Sequence, residues 1–471
     1  MKKLLALFLI LCATVVWANT PKYVFLFIGD GMSVPQRMTA EEFSRKVNAG
    51  TLAMNHMPFQ AMTRTASSNS LVTDSAAAAT AIACGVKTYN GAIGVDSKGE
   101  KVSSCAYAAK NAGKKVGIIS TVTITHATPA GFYASRKSRG DTYGIALDLA
   151  RSGFDFFAGG GLDKKYKDVK HPEFKKCGNA YDYAEKNGYK IVKTRDEFLQ
   201  LKKGCGKILT RFKDSALGFS IDLDENDRQK YPSLAELVGK AAEVLDGEDG
   251  FFIMAEGGSI DWAGHANDAA SNLRDVIALD DAVKVALKFY EKHPEDTLIV
   301  VTGDHETGGM SMGFNGTGYA LFTENLCGQK MSVGAFDGKA QEIMRKNPAV
   351  DFAEIKKLIS DAFGLGFIGD ENKGALSLSE KEEDEIKKAF AHDISFTKSK
   401  VEENSKYDGE KRYLLGGVCR RIISNKSGIG WSSGAHTAMP VLTTAMGVGA
   451  EKFSGFIENT DISKIIKSFY E

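Results

Sequence analysis

Proline is scarce in this chain, with 9 residues against 49 glycines in 471. That balance excludes an extended Pro-rich linker and points to tight turns at the ends of regular elements. Neither sign of charge is in excess: 60 basic and 59 acidic side chains leave a formal charge of +1. A chain so balanced has no broad field for nucleic acid or an anionic bilayer, so nucleic-acid-specific binding is not expected. Beyond the N-terminal stretch, no apolar run reaches the length of a transmembrane helix. No two cysteines have CxxC spacing, which argues against a zinc–thiolate site. Internal repeats and low-complexity linkers are lacking as well. The remaining composition, 43% hydrophobic and 25% charged, is that of a soluble globular protein. The length allows one large domain with insertions, or two to three smaller ones.

The N-terminus has the pattern of a secretory leader. Lys2 and Lys3 precede an apolar stretch from Leu4 to Val16, and Val16-Trp17-Ala18 offers small residues for cleavage after Ala18. A lipoprotein reading of Cys12 is disfavoured by the bulky Leu11 before it. The expectation is an exported mature chain of residues 19–471, in the periplasm first and the medium second. Its charge would be about −1 once Lys2 and Lys3 are removed. Export makes disulfides available to Cys84, Cys105, Cys177, Cys205, Cys327 and Cys419. Cys177 with Cys205 is the first expected pair and Cys327 with Cys419 the second, while Cys84 reads as a buried free thiol.

Five apolar runs end in Gly or acidic residues: Tyr23 to Ile28, Lys115 to Ser120, Phe154 to Ala158, Phe251 to Ala255 and Thr297 to Thr302. Continuous apolar strands suit a parallel sheet covered on both faces. Helical patterns lie between them, from Ser233 to Leu245 with a capping box at Ser233 and Glu236, and from Ser271 to Tyr290. Strands alternating with helices predict an α/β fold, a layered sandwich around a mostly parallel sheet. The rhythm breaks between about 311 and 430, a stretch richer in Lys, Glu, Asn and Gly with one clear helical run from Ser379 to Ala391. We read it as an inserted cap region.

The chemistry gathers at strand ends, where ligands of open α/β sheets bind. Asp30, Glu256, Asp304 and His305 each follow an apolar run closely. Asp261 and His265 are four apart, so one helical turn can present both to a Zn²⁺, or bind them to each other. Asp304-His305 lies among glycines that permit a turn, and His436 sits in a Ser/Gly-rich turn. Ser75 precedes Ala76-Ala77-Ala78-Ala79, a strong helix former, and so falls at a helix N-terminus. There it serves as a cap, or as a nucleophile where backbone N–H groups favour an anion. No partnering base stands beside it in the sequence, so its activation requires another agent, such as a metal. Thr128 offers a hydroxyl oxygen to a hard cation, and Arg139 a fork for a phosphoryl group.

Together these motifs resemble the alkaline phosphatase family. Gly29-Asp30-Gly31, Asp74-Ser75-Ala76, Glu256 to Asp261 with His265, Asp304-His305 and Gly434-Ala435-His436 occur in the family's order. The resemblance implies a three-layer α/β/α sandwich with a crown-like cap. It implies hydrolysis of phosphate monoesters through a phosphoserine on Ser75, with Arg139 holding the phosphate. It further implies one zinc on Asp261, His265 and His436, a second on Asp30, Asp304 and His305, and a Mg²⁺ on Asp30, Thr128 and Glu256. Family members are usually homodimers. His126 and Trp262 replace the Asp and Lys of the best-known bacterial pattern. That change predicts a less firmly held Mg²⁺ and weaker retention of product phosphate. A phosphodiesterase of the same superfamily, or a non-catalytic exported binder of phosphate or metal, are the alternatives. Asp74-Ser75-Ala76-Ala77 lacks the Pro and Arg of a sulfatase context.

Overall fold

The computed structural model describes residues 20–370, 374–402 and 413–471. The expected leader, with Cys12, lies outside the described residues. The strands are Tyr23–Gly29 (β1), Phe59–Arg64 (β2), Lys115–Ser120 (β3), Phe156–Ala158 (β4), Tyr189–Val192 (β5), Lys207–Thr210 (β6), Phe251–Gly257 (β7) and Thr297–Gly303 (β8). Four short ones follow: Glu306–Thr307 (β9), Met310–Met312 (β10), Ile429–Trp431 (β11) and His436–Thr437 (β12). Val441–Gly447 (β13) and Gly455–Glu458 (β14) complete the set.

Ten of these form one sheet in the order β14-β2-β13-β8-β1-β7-β3-β4-β6-β5. Among the described residues, β13 alone runs against the rest, antiparallel to both β8 and β2. The runs expected from sequence are all present, with β1, β7 and β8 each continuing as far as a glycine beyond the expected end and β4 starting two residues later than expected. Strands β2, β5, β6, β13 and β14, which no long apolar run announces, extend the sheet at its two sides.

Alternation along β1 shows why this sheet is buried on both faces. Tyr23, Phe25 and Phe27 enter one apolar cluster with Phe251, Ile253, Ile299 and Val301. Val24, Leu26 and Ile28 enter a second with Phe252, Met254, Leu298 and Val300. Each such side chain contributes roughly 1.5–3 kcal/mol by leaving water. The helices Leu234–Leu245 and Ala269–Tyr290 cover the first face, and Ser75–Cys84, Thr142–Arg151 and Asn459–Lys467 the second. This is the expected sandwich. Ser233 and Glu236 form the expected capping box, and the helix expected from Ser271 begins slightly earlier, at Ala269.

Register delivers the site. Gly29 pairs with Gly257 on one side and Gly303 on the other, so β1, β7 and β8 end level. Asp30 and Asp304 therefore emerge side by side, and Glu256 lies opposite Ile28. A turn this tight requires glycine at Gly31, whose φ is +72°. A Cβ there would lie 2.7 Å from Thr307 Oγ1 and 2.9 Å from the Asp261 Cα.

Residues 313–428 leave and return through a ribbon in which β10 pairs antiparallel with β11, Met312 opposite Ile429. The helix expected there runs Glu380–Glu402, well past Ala391. The region also holds three helices that composition concealed: Val333–Lys346, Phe352–Phe363 and Leu415–Lys426. Their buried stripes, such as Val333, Phe336, Ala340 and Met344, recur at helical spacing among many polar residues.

The expected disulfides are absent: all six cysteines from Cys84 to Cys419 are free thiols. Cys177 belongs to the apolar cluster on one face of the sheet, and Cys205 packs against the cluster on the other. Cys327 and Cys419 share a cluster but face different partners. Cys327 lies near Arg274, whereas Cys419 is buried beside Asp337 and Asp393. Cys84 is the buried free thiol expected, its pKa pushed up to about 12 by burial.

Candidate metal centre and active site

All ten residues singled out in the sequence converge beyond the carboxyl ends of β1, β7 and β8. Asp30 follows β1, Glu256 lies on β7, and Asp304 and His305 follow β8. Asp261 and His265 occupy the short helix Ser259–His265. His436 lies on β12, held opposite Thr307 of β9. Ser75 is the first residue of Ser75–Cys84, whose N-cap Asp74 accepts from the Ala77 N–H. Thr128 sits on the turn Ala127–Ala130, and Arg139 follows on a loop. Asp30, Glu256, Asp304 and His305 are fully buried, and Asp261 is 4% exposed.

Three groups of donors stand close enough to share an ion: Asp261, His265 and His436; Asp30, Asp261 and His305; and Asp30, His126 and Glu256. Asp304 joins the second group through an Oδ2 that lies 3.3 Å from His305 Nε2. Asp261 thus reaches two groups rather than one.

Backbone and hydroxyl partners fix the histidine tautomers. His265 Nδ1 donates to the Gly434 carbonyl, and His436 Nδ1 to that of Thr73, each at 2.8 Å. In the neutral rings Nε2 is therefore a bare lone pair, and the two Nε2 atoms face each other at 3.1 Å. Thr307 Oγ1 donates to Asp261 Oδ1 at 2.6 Å, so it accepts from His305 Nδ1 at 3.2 Å. His305 Nε2 then points its lone pair at Asp30 Oδ1, 3.3 Å away. Lone pairs and carboxylates directed at one another repel unless a cation stands between them.

The electrostatics carry the same message. Burial, then the charges of Asp304, Asp261 and Glu256, push the Asp30 carboxyl well above its ordinary range. Burial, with Asp261 and Glu256, pushes Asp304 up to about 7. Burial alone would raise Asp261, but His436, where its ring is protonated and Nε2 donates to this carboxylate, outweighs burial and holds the carboxyl low. Burial and the neighbouring His436 keep His305 neutral. Asp30 Oδ2, Asp304 Oδ2, Glu256 Oε1 and Thr128 Oγ1 are buried without a hydrogen-bond partner. Buried oxygens in that state cost several kcal/mol each unless an ion satisfies them. This donor set, nitrogen with carboxylate oxygen in each group and the partnerless Glu256 and Thr128 oxygens at one end, fits borderline and hard divalent cations.

Ser75 Oγ lies 3.2 Å from His305 Nε2 and 3.5 Å from Asp30 Oδ1. The sequence showed no base beside this serine; the fold supplies an imidazole from a distant strand end. Arg139 Nη1 donates to Asp74 Oδ2 at 3.1 Å and Nη2 to His126 Nε2 at 3.2 Å. A guanidinium only donates, so the neutral His126 ring carries its proton on Nδ1, 3.9 Å from both Asp30 and Glu256. Trp262, 38% exposed, stands edge-on to that ring at 6.1 Å.

Several supporting residues escaped the sequence reading. Thr307 orients His305 and Asp261. The Ser120 hydroxyl donates to Glu256 Oε2. Buried Glu306 accepts from Gln36 Nε2 at 2.7 Å, from Thr437 Oγ1 at 2.5 Å and from the Gly309 and Met310 N–H groups, tying β9 to β12. Glu306 lies next to His305 in the chain, which was its one signal.

A family model described as alkaline phosphatase matches residues 21–471. "Alkaline phosphatase 3" of Bacillus subtilis (strain 168) is 33% identical over 94% of this chain and 87% of its own. The crystal structure of a cold-active alkaline phosphatase from a psychrophilic Shewanella superposes with a TM-score of 0.78. It has 27% identity and covers 95% of this chain and 100% of that one. A mutant of the alkaline phosphatase from the Antarctic bacterium TAB5, with Mg bound, superposes with a TM-score of 0.64. It also has 27% identity and covers 96% of this chain and 99% of that one.

The buried repulsion has a sign that can be measured. Asp30 and Asp304 have folded pKa values above the unfolded 3.8. Chelated protein should therefore lose stability as pH rises from about 4 toward 8. Asp30→Asn, without metal, should melt higher than wild type at pH 8, and the gap should close toward pH 4. Added Zn²⁺ and Mg²⁺ should reverse the order at pH 8, because they stabilise wild type more. A chelated variant that melts lower than wild type at pH 8 would contradict the repulsion.

Proposed function

The chain belongs to the alkaline phosphatase family, whose activity is metal-dependent hydrolysis of phosphate monoesters, and we propose that it acts through a covalent phosphoserine on Ser75. The observation that carries this reading is Ser75 Oγ at a helix N-terminus, 3.2 Å from His305 and beside uncompensated carboxylates.

We assign one zinc to Asp261, His265 and His436, a second to Asp30, Asp304 and His305, and a magnesium to Asp30, Thr128 and Glu256. When bound, these ions supply Lewis-acid charge that lowers the pKa of attacking hydroxyls and stabilises the departing oxygen. The chain's own groups do the rest. The Arg139 fork and the helix N-terminus bind the non-bridging oxygens of the phosphoryl group. Ser75 Oγ gives up its proton to solvent and attacks phosphorus as the bond to the ester oxygen breaks, and the leaving alkoxide takes up a proton from solvent. Water then attacks the phosphoserine from the side the alcohol has left, and Ser75 recovers its proton as phosphate is released. His265 and His436, locked by Gly434 and Thr73, keep their positions through both steps. Arg139 favours a monoester, because its fork fits non-bridging oxygens that a diester partly lacks.

His126 stands beside Asp30 and Glu256 where the best-known bacterial pattern has a carboxylate, and the loss of that oxygen ligand supports a loosely held magnesium. Trp262 brings no cation to the phosphate, which supports weak product retention. The family's homodimer and an exported mature chain beginning at Asn19 complete the proposal. No helix of the described residues is long and apolar enough to cross a membrane.

Ser75→Ala should lower turnover of an aryl phosphate by a factor on the order of 10³ or more, and chelation should abolish wild-type turnover until Zn²⁺ is restored. Turnover that survives the mutation would move the nucleophile elsewhere. Trp262→Lys should tighten inhibition by inorganic phosphate roughly tenfold, the equivalent of about 1.4 kcal/mol. An unchanged inhibition constant would dismiss the role given to Trp262. Mass measurement of the exported protein should return a chain starting at Asn19, and light scattering twice its mass; a monomer carrying its leader would refute both.

A further inference from the structure

Beside the His265 and His436 pair, the region that follows β10 closes over a cavity of about 620 Å³. Its wall contains Arg420, Arg421, Ser424 and Trp431, together with Asn267 and Gly309, and no carboxylate. The cavity abuts the site through short links. Asn267 is two residues beyond His265, and its Nδ2 donates to the Ser433 carbonyl at 2.7 Å, three residues before His436. Arg420 Nη1 donates to the carbonyl of Ala266, the residue after His265. The Trp431 ring lies against Gly308, close behind the Asp304-His305 turn, so that a Cβ on that glycine would come within 2.5 Å of it.

Three polar atoms on this wall are buried and have no hydrogen-bond partner: Arg420 Nε, Ser424 Oγ and Trp431 Nε1. Ser424 is 2% exposed. Two of the three atoms can only donate, and the hydroxyl can donate as well. Arg421, the other cation, is already paired with Glu385 at 2.5 Å. Asp268 and Asp337 act on the Arg420 charge, but neither lines the cavity. Buried donors left unpaired are destabilising, and donors gathered at one cavity whose wall holds no acid match an acceptor carried by a ligand.

We propose that this cavity is a leaving-group subsite that takes an anionic substituent, a carboxylate or a second phosphate, on the alcohol portion of the substrate. The inference rests on the phosphomonoesterase reading above. Arg420 supplies the charge, and Ser424 and Trp431, which line the same wall, supply further donors. The phosphoryl group stays with Ser75 and Arg139, and the chemistry of hydrolysis is unchanged.

The test uses full-length mature enzyme loaded with Zn²⁺ and Mg²⁺. Two series of alkyl phosphates of matched chain length are compared, one ending in methyl and one in carboxylate, with the corresponding α,ω-bisphosphates as a third. At the chain length that spans the two sites, wild type should show a KM roughly tenfold lower for the carboxylate or the bisphosphate than for the methyl compound. Whichever anion gains more identifies the natural substituent. Ser424→Ala combined with Trp431→Phe, which keeps a ring over Gly308, should erase that preference and leave kinetics of the methyl series unchanged. Arg420→Gln should do the same where it folds. An anionic series that tracks the methyl series at every length in wild type overturns the subsite, as does a preference that survives in the double variant. Failure to hydrolyse any methyl compound would instead overturn the phosphomonoesterase reading, and the subsite with it.

Discussion

Uncompensated negative charge at one edge of a dry sheet governs this molecule. Asp30, Glu256, Asp261 and Asp304 are all buried within one constellation, and Arg139 is the only permanent cation among the residues placed there. Low dielectric on both faces of the sheet makes their mutual repulsion strong. The apolar side chains of β1, β7 and β8 produce that dielectric, and the level ends of the same strands produce the crowding. The three histidines face inward with bare Nε2 atoms because backbone carbonyls and Thr307 hold their other nitrogens. A protein that spends stability in this way gains a site ready for divalent cations, with the Ser75 hydroxyl beside His305 where those cations can activate it.

The fold and most of the site were legible because their signals are local. A buried parallel strand is an uninterrupted apolar run, and a strand-end acid is the polar residue that breaks it, as Ile28-Gly29-Asp30 and Thr302-Gly303-Asp304 show. Helical spacing gave Asp261 with His265, and the alanine run gave the helix that begins at Ser75. The rest depended on partners far away in the chain. Nothing next to Ser75 announces His305, and nothing next to Thr307 announces its bonds to Asp261 and His305. Cysteine pairing failed for the same reason: Cys177 and Cys205 flank one stretch of sequence but pack on opposite faces of the sheet. The helices between residues 333 and 426 were concealed by their polar majority, although their buried stripes keep helical spacing.

With the subsite proposed above, that polar region bears on specificity rather than on the phosphoryl chemistry. The groups proposed to bind phosphate and metal stand on strand ends and on the turns and short helices packed against them, and cannot vary without disturbing the sheet. Arg420, Ser424 and Trp431 come from a helix and a ribbon that lie outside the ten-stranded sheet. A chain can alter such an appendage, and so its choice of alcohol, while the metal-binding edge stays fixed.

The most direct measurement is anomalous diffraction at the zinc edge from crystals grown with Zn²⁺ and Mg²⁺. Two zinc peaks are expected, one among Asp261, His265 and His436, the other among Asp30, Asp304 and His305 and next to Ser75 Oγ. Ordered carboxylates and histidines in those positions with no anomalous density between them, at saturating zinc, would contradict the claim that buried charge is held there for cations.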